Sequence, residues 1–405
     1  MIARSYFSVI LGFAFAISAV CSASESGAQL SPMIALFHKW QMETAPAVVD
    51  KAAAQGHDHV QFCIALQATL GVENRVSAIG LYREAKPPGS GNAFHASNSA
   101  IRSELKGYLK ACFKRAVDRK LAISVLLHLN SHGEVTEWRN YFDFDPLAKI
   151  SGFSYEESYV NPVMEALEET LPADWPLEVS LQGEMGTTVF KYPKSWRTLL
   201  KRVRDRGTLS HVKFGLSFNY QGVAGGAPAA QLDVEALKQL WDSCDFIGIS
   251  MYQAVSCPPR HEDFDMALGL FAGEFYALKC SLPTNKRVHF VEVGIGGGGL
   301  SSSDWKSYIP ALHPEDAARS PYLGSADPAK ADPWKSPELR LLRTRYHQAL
   351  CDFLSEGRSR YPVKRAFLWS FGSWDPEGLE EDHFGDAEIM RRIREHNQKI
   401  KSAHP

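Results

Sequence analysis

Val288-His289-Phe290-Val291-Glu292-Val293-Gly294 is a short apolar run that carries one carboxylate near its end, and Gly296, Gly297, Gly298 and Gly299 follow closely. A run this apolar suits a strand buried on both faces, as in a parallel sheet. An acid where the strand ends stands at the sheet's rim, within reach of a ligand. The glycines let the backbone turn sharply and leave space beside the acid. A second stretch repeats the pattern: Leu177-Glu178-Val179-Ser180-Leu181-Gln182-Gly183-Glu184, then Met185-Gly186. Two strands ending on glutamate, about a quarter of the chain apart, leave room for a few strand–helix units between them.

Outward from these two stretches, apolar strand-like runs alternate with helical periodicity along the whole chain. Strands are expected at 33–38, 59–66, 122–129, 177–184, 212–218, 246–251, 288–292 and 365–371. Helices are expected at 45–55, 103–119, 156–171, 196–206, 234–241, 264–280, 337–354 and 387–397. The helix at 103–119 carries its apolar stripe at Leu105, Leu109, Cys112 and Ala116. Long polar or Gly/Pro-rich loops fill 86–99, 130–151 and 296–334. Eight strand–helix units in one pass close naturally into an α/β (β/α)8 TIM barrel, one domain with long βα loops. An open doubly wound sheet is disfavoured, because no GxGxxG follows the first strand.

Lys and Arg total 44 against 46 Asp and Glu, a net charge of −2, so nothing electrostatic argues for nucleic acid or an acidic membrane surface. Arg4, the apolar run 7–20 and the small residues Cys21-Ser22-Ala23 read as a signal peptide cleaved near Ala23. The run is short for a membrane span, so no stable insertion is expected after cleavage. Residues 1–23 are thus read as the signal and 24–405 as the barrel domain, and a periplasmic or secreted location follows. Export permits disulfides, but the spacing of the six remaining cysteines names no pairs and includes no CxxC.

In such a barrel the strand C-termini open on one face, where the chemistry sits. His38, His128, Gln182, Glu184, Asn219, Tyr252, Glu292, Trp369 and Trp374 fall there or in the loops just beyond. Two carboxylates, amides, imidazoles and aromatic platforms are what glycoside hydrolysis needs. One carboxyl protonates the leaving oxygen, the other attacks the anomeric carbon or activates water, and rings stack on sugar faces.

At these residues the chain resembles the clan A glycoside hydrolases, retaining (β/α)8 enzymes, with a β-mannanase-like branch among the possibilities. The resemblance implies that Glu184 is the acid/base at the end of strand four and Glu292 the nucleophile at the end of strand seven. It implies that Tyr252, in Asp245-Phe246-Ile247-Gly248-Ile249-Ser250-Met251-Tyr252, contacts the nucleophile, and that Trp369 floors the subsite of the attacked sugar. Many clan members carry Asn just before the acid/base; here it is Gly183, which leaves the 2-hydroxyl contact to Gln182 or Asn219. His38, His128 and Trp374 are further candidates for substrate contact. Trp40 and Trp138 are read as surface or loop packing.

The mechanism implied is double displacement. Glu184, its pKa raised, protonates the glycosidic oxygen, and Glu292, kept ionised, attacks C1. The substrate is an oligo- or polysaccharide, an exopolysaccharide or plant-type glycan, cut internally; no cofactor or metal is called for. Three readings compete: a sugar-binding barrel without turnover, a transglycosylase, and a metal-dependent hydrolase built on His128, His132 and a carboxylate.

Overall fold

The computed structural model describes residues 27–83, 93–133, 135–299, 309–325, 332–356, 359–380 and 382–403. Residues 1–23, read above as a signal, part of the loop at 86–99 and parts of the 296–334 insertion lie outside the described residues.

Ten strands are described: β1 Leu30–Leu36, β2 His59–Leu70, β3 Val76–Arg83, β4 Ala93–Ala96, β5 Ala122–His132, β6 Leu177–Gly183, β7 Val212–Asn219, β8 Phe246–Met251, β9 Arg287–Val293 and β10 Val363–Trp369. Eight of them pair in parallel in the order β1-β10-β9-β8-β7-β6-β5-β2, and a β1–β2 pairing closes the ring. This is the expected (β/α)8 barrel. The other two strands were not expected from sequence: β3 and β4 extend β2 as an antiparallel hairpin above the barrel.

The helices are α1 Lys39–Ala54, α2 Ser99–Asp118, α3 Asn161–Glu168, α4 Gly186–Lys191, α5 Pro193–Asp205, α6 Val234–Ser243, α7 His261–Ala277, α8 Pro314–Arg319, α9 Pro337–Glu356 and α10 Ala387–Ser402. The stripe foreseen on α2 is buried, together with Ile101 and Phe113. Helices start where side chains supply acceptors to orphan backbone donors: Asn98 caps α2, Asp233 caps α6 and Asp386 caps α10.

Along each strand, alternate residues divide between two cores. Ile34, Leu36, Phe62 and Ile64 join the large cluster shared with the helices. Met33, Ala35, Cys63, Leu126, Val291 and Phe367 form a small separate cluster that fills the barrel's interior.

Below that cluster, at the N-terminal ends of the strands, the interior is polar. Arg365 Nε donates to Glu178 Oε2 at 3.1 Å, and His59 Nε2 lies 2.9 Å from Ser124 Oγ. Burial opposes the charge on Glu178, yet the basic groups facing it, His289 and Arg365 first, bring its carboxyl down to about 2. Burial also lowers His289 to about 4, so Arg365 and Lys213 carry the positive charge at neutral pH. A depressed carboxyl stabilises the fold above its unfolded pKa and loses that contribution as pH falls toward its folded pKa. Arg365 and Lys213 are 36% and 43% exposed, which weakens the pairing. Glu178→Gln is therefore expected to cost about 1–2 kcal/mol at neutral pH, between surface and fully buried pairs. Urea unfolding at several pH values checks this: the deficit should shrink as pH drops from about 5 toward 2.

Candidate active site

Both glutamates sit where a strand has just been bulged. On β6 the register against β7 slips by one residue between Ser180 and Gly183, immediately before Glu184. On β9 the register against β8 slips between Phe290 and Glu292. Each bulge bends its strand and re-aims the side chain that follows. Glu184 then takes a left-handed backbone, φ 59°, with its N–H donating to Ser217 O at 2.9 Å. A non-glycine residue held there marks strain that surrounding contacts must sustain.

Three donors converge on Glu184. Arg139 Nη1 reaches Oε2 at 2.7 Å and Trp138 Nε1 reaches it at 3.2 Å. Asn219 Nδ2, from the end of β7, reaches Oε1 at 2.9 Å. Arg139 is itself fixed, donating to Asn130 Oδ1 at 2.6 Å and Leu129 O at 3.1 Å. Trp138 packs edge-on against Tyr141 in its loop, as expected, and also reaches Glu184, while Arg139 was missed in the sequence. Neither has a local signature: both sit in the loop after β5, and only the fold brings them to Glu184.

Glu292 is as buried as Glu184 but less well served. Tyr252 OH donates to Oε2 at 3.2 Å, as the resemblance implied. His128 Nε2 lies 3.1 Å from Oε1 but at an angle that makes no hydrogen bond. Burial raises the Glu292 carboxyl well above its usual range, and the charge of Glu184 raises it further; Arg139 and Tyr252 oppose both. The expectation was that hydrogen bonds keep Glu292 ionised; in the structure burial pushes the other way, and among the described residues Tyr252 is the one side chain that donates to it. Burial likewise holds His128 neutral and the Tyr252 phenol protonated.

The absence of a side chain at Gly183 has a cause. A Cβ there would meet the His128 ring at 2.4 Å and Leu126 at 2.8 Å. His128 thus fills the space a residue-183 side chain would need. The glycines after β9 serve close packing more than open space. A Cβ on Gly296 would meet Leu323 O at 2.3 Å and Trp374 Nε1 at 2.5 Å.

The remaining candidates separate into two groups. Asn219 and Tyr252 touch the carboxylates. Trp369 is half-buried at the end of β10, its ring 5.7 Å from that of Phe37, which lies 5.9 Å from Phe371. These three rings cap the inner core and offer an apolar platform beside Glu292's strand. Gln182 is fully buried and its Oε1 accepts from Met185 N at 2.8 Å, so it shapes the turn after β6. His38 stands where β1 passes into α1, stacked on Trp40 at 6.4 Å. Trp374 is 8% exposed and donates its N–H to Pro321 O at 3.0 Å, so it anchors the loop wall instead of offering a face to a ligand. His128 and His132 both lie on strand β5, which puts four-residue neighbours about 13 Å apart. Their spacing would suit a helix, so on β5 they cannot share one ion.

Tyr252→Phe removes one of the influences that lower Glu292. For a reaction that needs Glu292 ionised, the ascending limb of kcat/KM against pH should move to higher pH in this variant. An unmoved limb would separate Tyr252 from the ionisation of Glu292.

No family model matches the chain, and no curated protein sequence matches it. Solved structures do. A GH113 β-1,4-mannanase, solved as a complex, is 14% identical with a TM-score of 0.51, over 92% of this chain and 99% of its own. The GH113 β-mannanase AaManA from Alicyclobacillus acidocaldarius, solved with ManMIm, is 15% identical with a TM-score of 0.51, over 93% and 100%. Both span their full length on this chain, and the likeness is one of fold: the (β/α)8 barrel.

Proposed function

We propose that this chain is an exported retaining glycoside hydrolase of the clan A type, cutting a β-linked polysaccharide internally. The observation that carries the reading is the pair of glutamates. They end the fourth and seventh barrel strands, each follows a bulge, and the charge of Glu184 acts on Glu292. Glu292, with Tyr252 on one oxygen, is the nucleophile. Glu184, held by Asn219, Trp138 and Arg139, is the acid/base. Attack by Glu292 on the anomeric carbon gives a glycosyl-enzyme as Glu184 protonates the departing oxygen; Glu184 then takes a proton from the water that releases the sugar. Phe37, Trp369 and Phe371 supply the apolar floor for a sugar ring.

The long loops after β2, β5 and β9 suit a cleft that holds a chain on both sides of the cut. Neighbours of the fold named as β-1,4-mannanases make β-mannan the first polymer to try. Export rests on residues 1–23 and would give a mature chain beginning after Ala23. The test is release of reducing ends from β-mannan, β-glucan, β-galactan and bacterial exopolysaccharide by the purified chain. Cleavage of one polymer into oligosaccharides supports the reading; binding of a glycan with no cleavage, in chain whose fold is intact, overturns it.

A further inference from the structure

We propose that Cys63, His128 and Glu292 form a binding site for a soft divalent cation such as zinc or cadmium, and that loading it blocks the catalytic centre. The three side chains project from β2, β5 and β9, and all are buried. One ligand atom of each lies within 4.8 Å of the other two. Cys63 Sγ is 3.5 Å from His128 Nδ1, and His128 Nε2 is 3.1 Å from Glu292 Oε1.

Two of these atoms are buried without a hydrogen-bond partner among the described residues: His128 Nε2 and Glu292 Oε1. Buried polar atoms are rarely left so, and each one calls for a reason. A cation between them would satisfy both. Zinc bonds of ~2.3 Å to sulfur and ~2.0–2.2 Å to nitrogen and oxygen put tetrahedral ligand atoms roughly 3.3–3.8 Å apart. The two short contacts use different imidazole nitrogens, and one set of three ligand atoms lies within 4.8 Å, so the side chains must draw in by about an ångström to hold an ion. The imidazole can give only one nitrogen to the ion, so the ring must turn about its Cβ–Cγ bond as the site closes. Three protein ligands leave a fourth position of a tetrahedral ion free. Thiolate, imidazole and carboxylate together favour zinc or cadmium over magnesium or calcium, which take oxygen ligands.

The consequence for catalysis rests on the function proposed above: Glu292 cannot attack carbon while it holds a cation. The binding itself does not depend on that reading, so the two can fail separately. Cys257 is exposed and would bind metal on its own account, so the experiment uses a Cys257→Ser background. The chelator-stripped chain is titrated with cadmium, zinc and magnesium chloride. Thiolate-to-cadmium charge-transfer absorbance and bound metal per chain are read out. One cadmium or zinc per chain is expected, with the charge-transfer band and no magnesium. Cys63→Ser should remove the band and weaken binding at least ~100-fold, with circular dichroism confirming its fold. Hydrolysis should stop on loading, return on chelation, and become insensitive to the metal in Cys63→Ser whatever that variant's own rate. No band in the parent chain, binding that survives Cys63→Ser, or equal binding of magnesium would overturn the site. Cadmium binding to a chain that hydrolyses no glycoside would uphold the site and overturn the reading of the catalytic centre.

Discussion

Glu292→Gln is expected to abolish turnover, lowering kcat by roughly 10,000-fold or more while leaving the fold intact. The amide has the shape of the acid but cannot form the glycosyl-enzyme. The fold should tolerate it because burial already disfavours the charged form of Glu292. Removing a buried acid of that kind leaves the melting temperature unchanged or slightly higher, the usual signature of a residue kept for activity at some cost in stability. Steady-state kinetics and thermal melts of the two chains check both halves. Activity within tenfold of the parent would remove Glu292 from the role of nucleophile.

Glu184→Gln should fail differently. Loss of general acid and base work lowers hydrolysis of a polysaccharide by ~100- to 10,000-fold. Aryl glycosides with good leaving groups need little protonation, so their first step should suffer much less and a glycosyl-enzyme should accumulate. Azide, which needs no general base, should restore turnover and give a β-glycosyl azide. The variant also removes the charge that Arg139, Trp138 and Asn219 surround, so some stability goes with it, on the order of 1–3 kcal/mol for hydrogen bonds to a charged group. An equal loss on good and poor leaving groups would take the acid role away from Glu184.

The barrel was legible because its strands carry short apolar or alternating runs that recur between helical stretches. The strands at 122–129 and 246–251 show this well: the latter matches β8 Phe246–Met251 residue for residue, and the former is the core of β5 Ala122–His132. The hairpin Val76–Arg83 with Ala93–Ala96 escaped notice because it pairs outside the barrel and its strands carry no long apolar run. Strand ends told where Glu184 and Glu292 lie, and the register of a parallel barrel brings their ends to one face. What surrounds them was not legible. Arg139 and Trp138 reach Glu184 across 45 and 46 residues of sequence, through a loop with no periodicity. The close fit of His128 against Gly183 depends on how two neighbouring strands are staggered, and sequence does not give stagger. Trp374 looked like a platform because it follows a strand end; the segment around Pro321 and Leu323 folds over it.

The most direct test is the configuration of the first-formed sugar, read by proton NMR in the opening minutes of hydrolysis, before mutarotation. Double displacement through Glu292 predicts that the β anomer appears first. The α anomer appearing first would mean inversion: Glu292 would then act as a base on water, and the covalent intermediate would not exist.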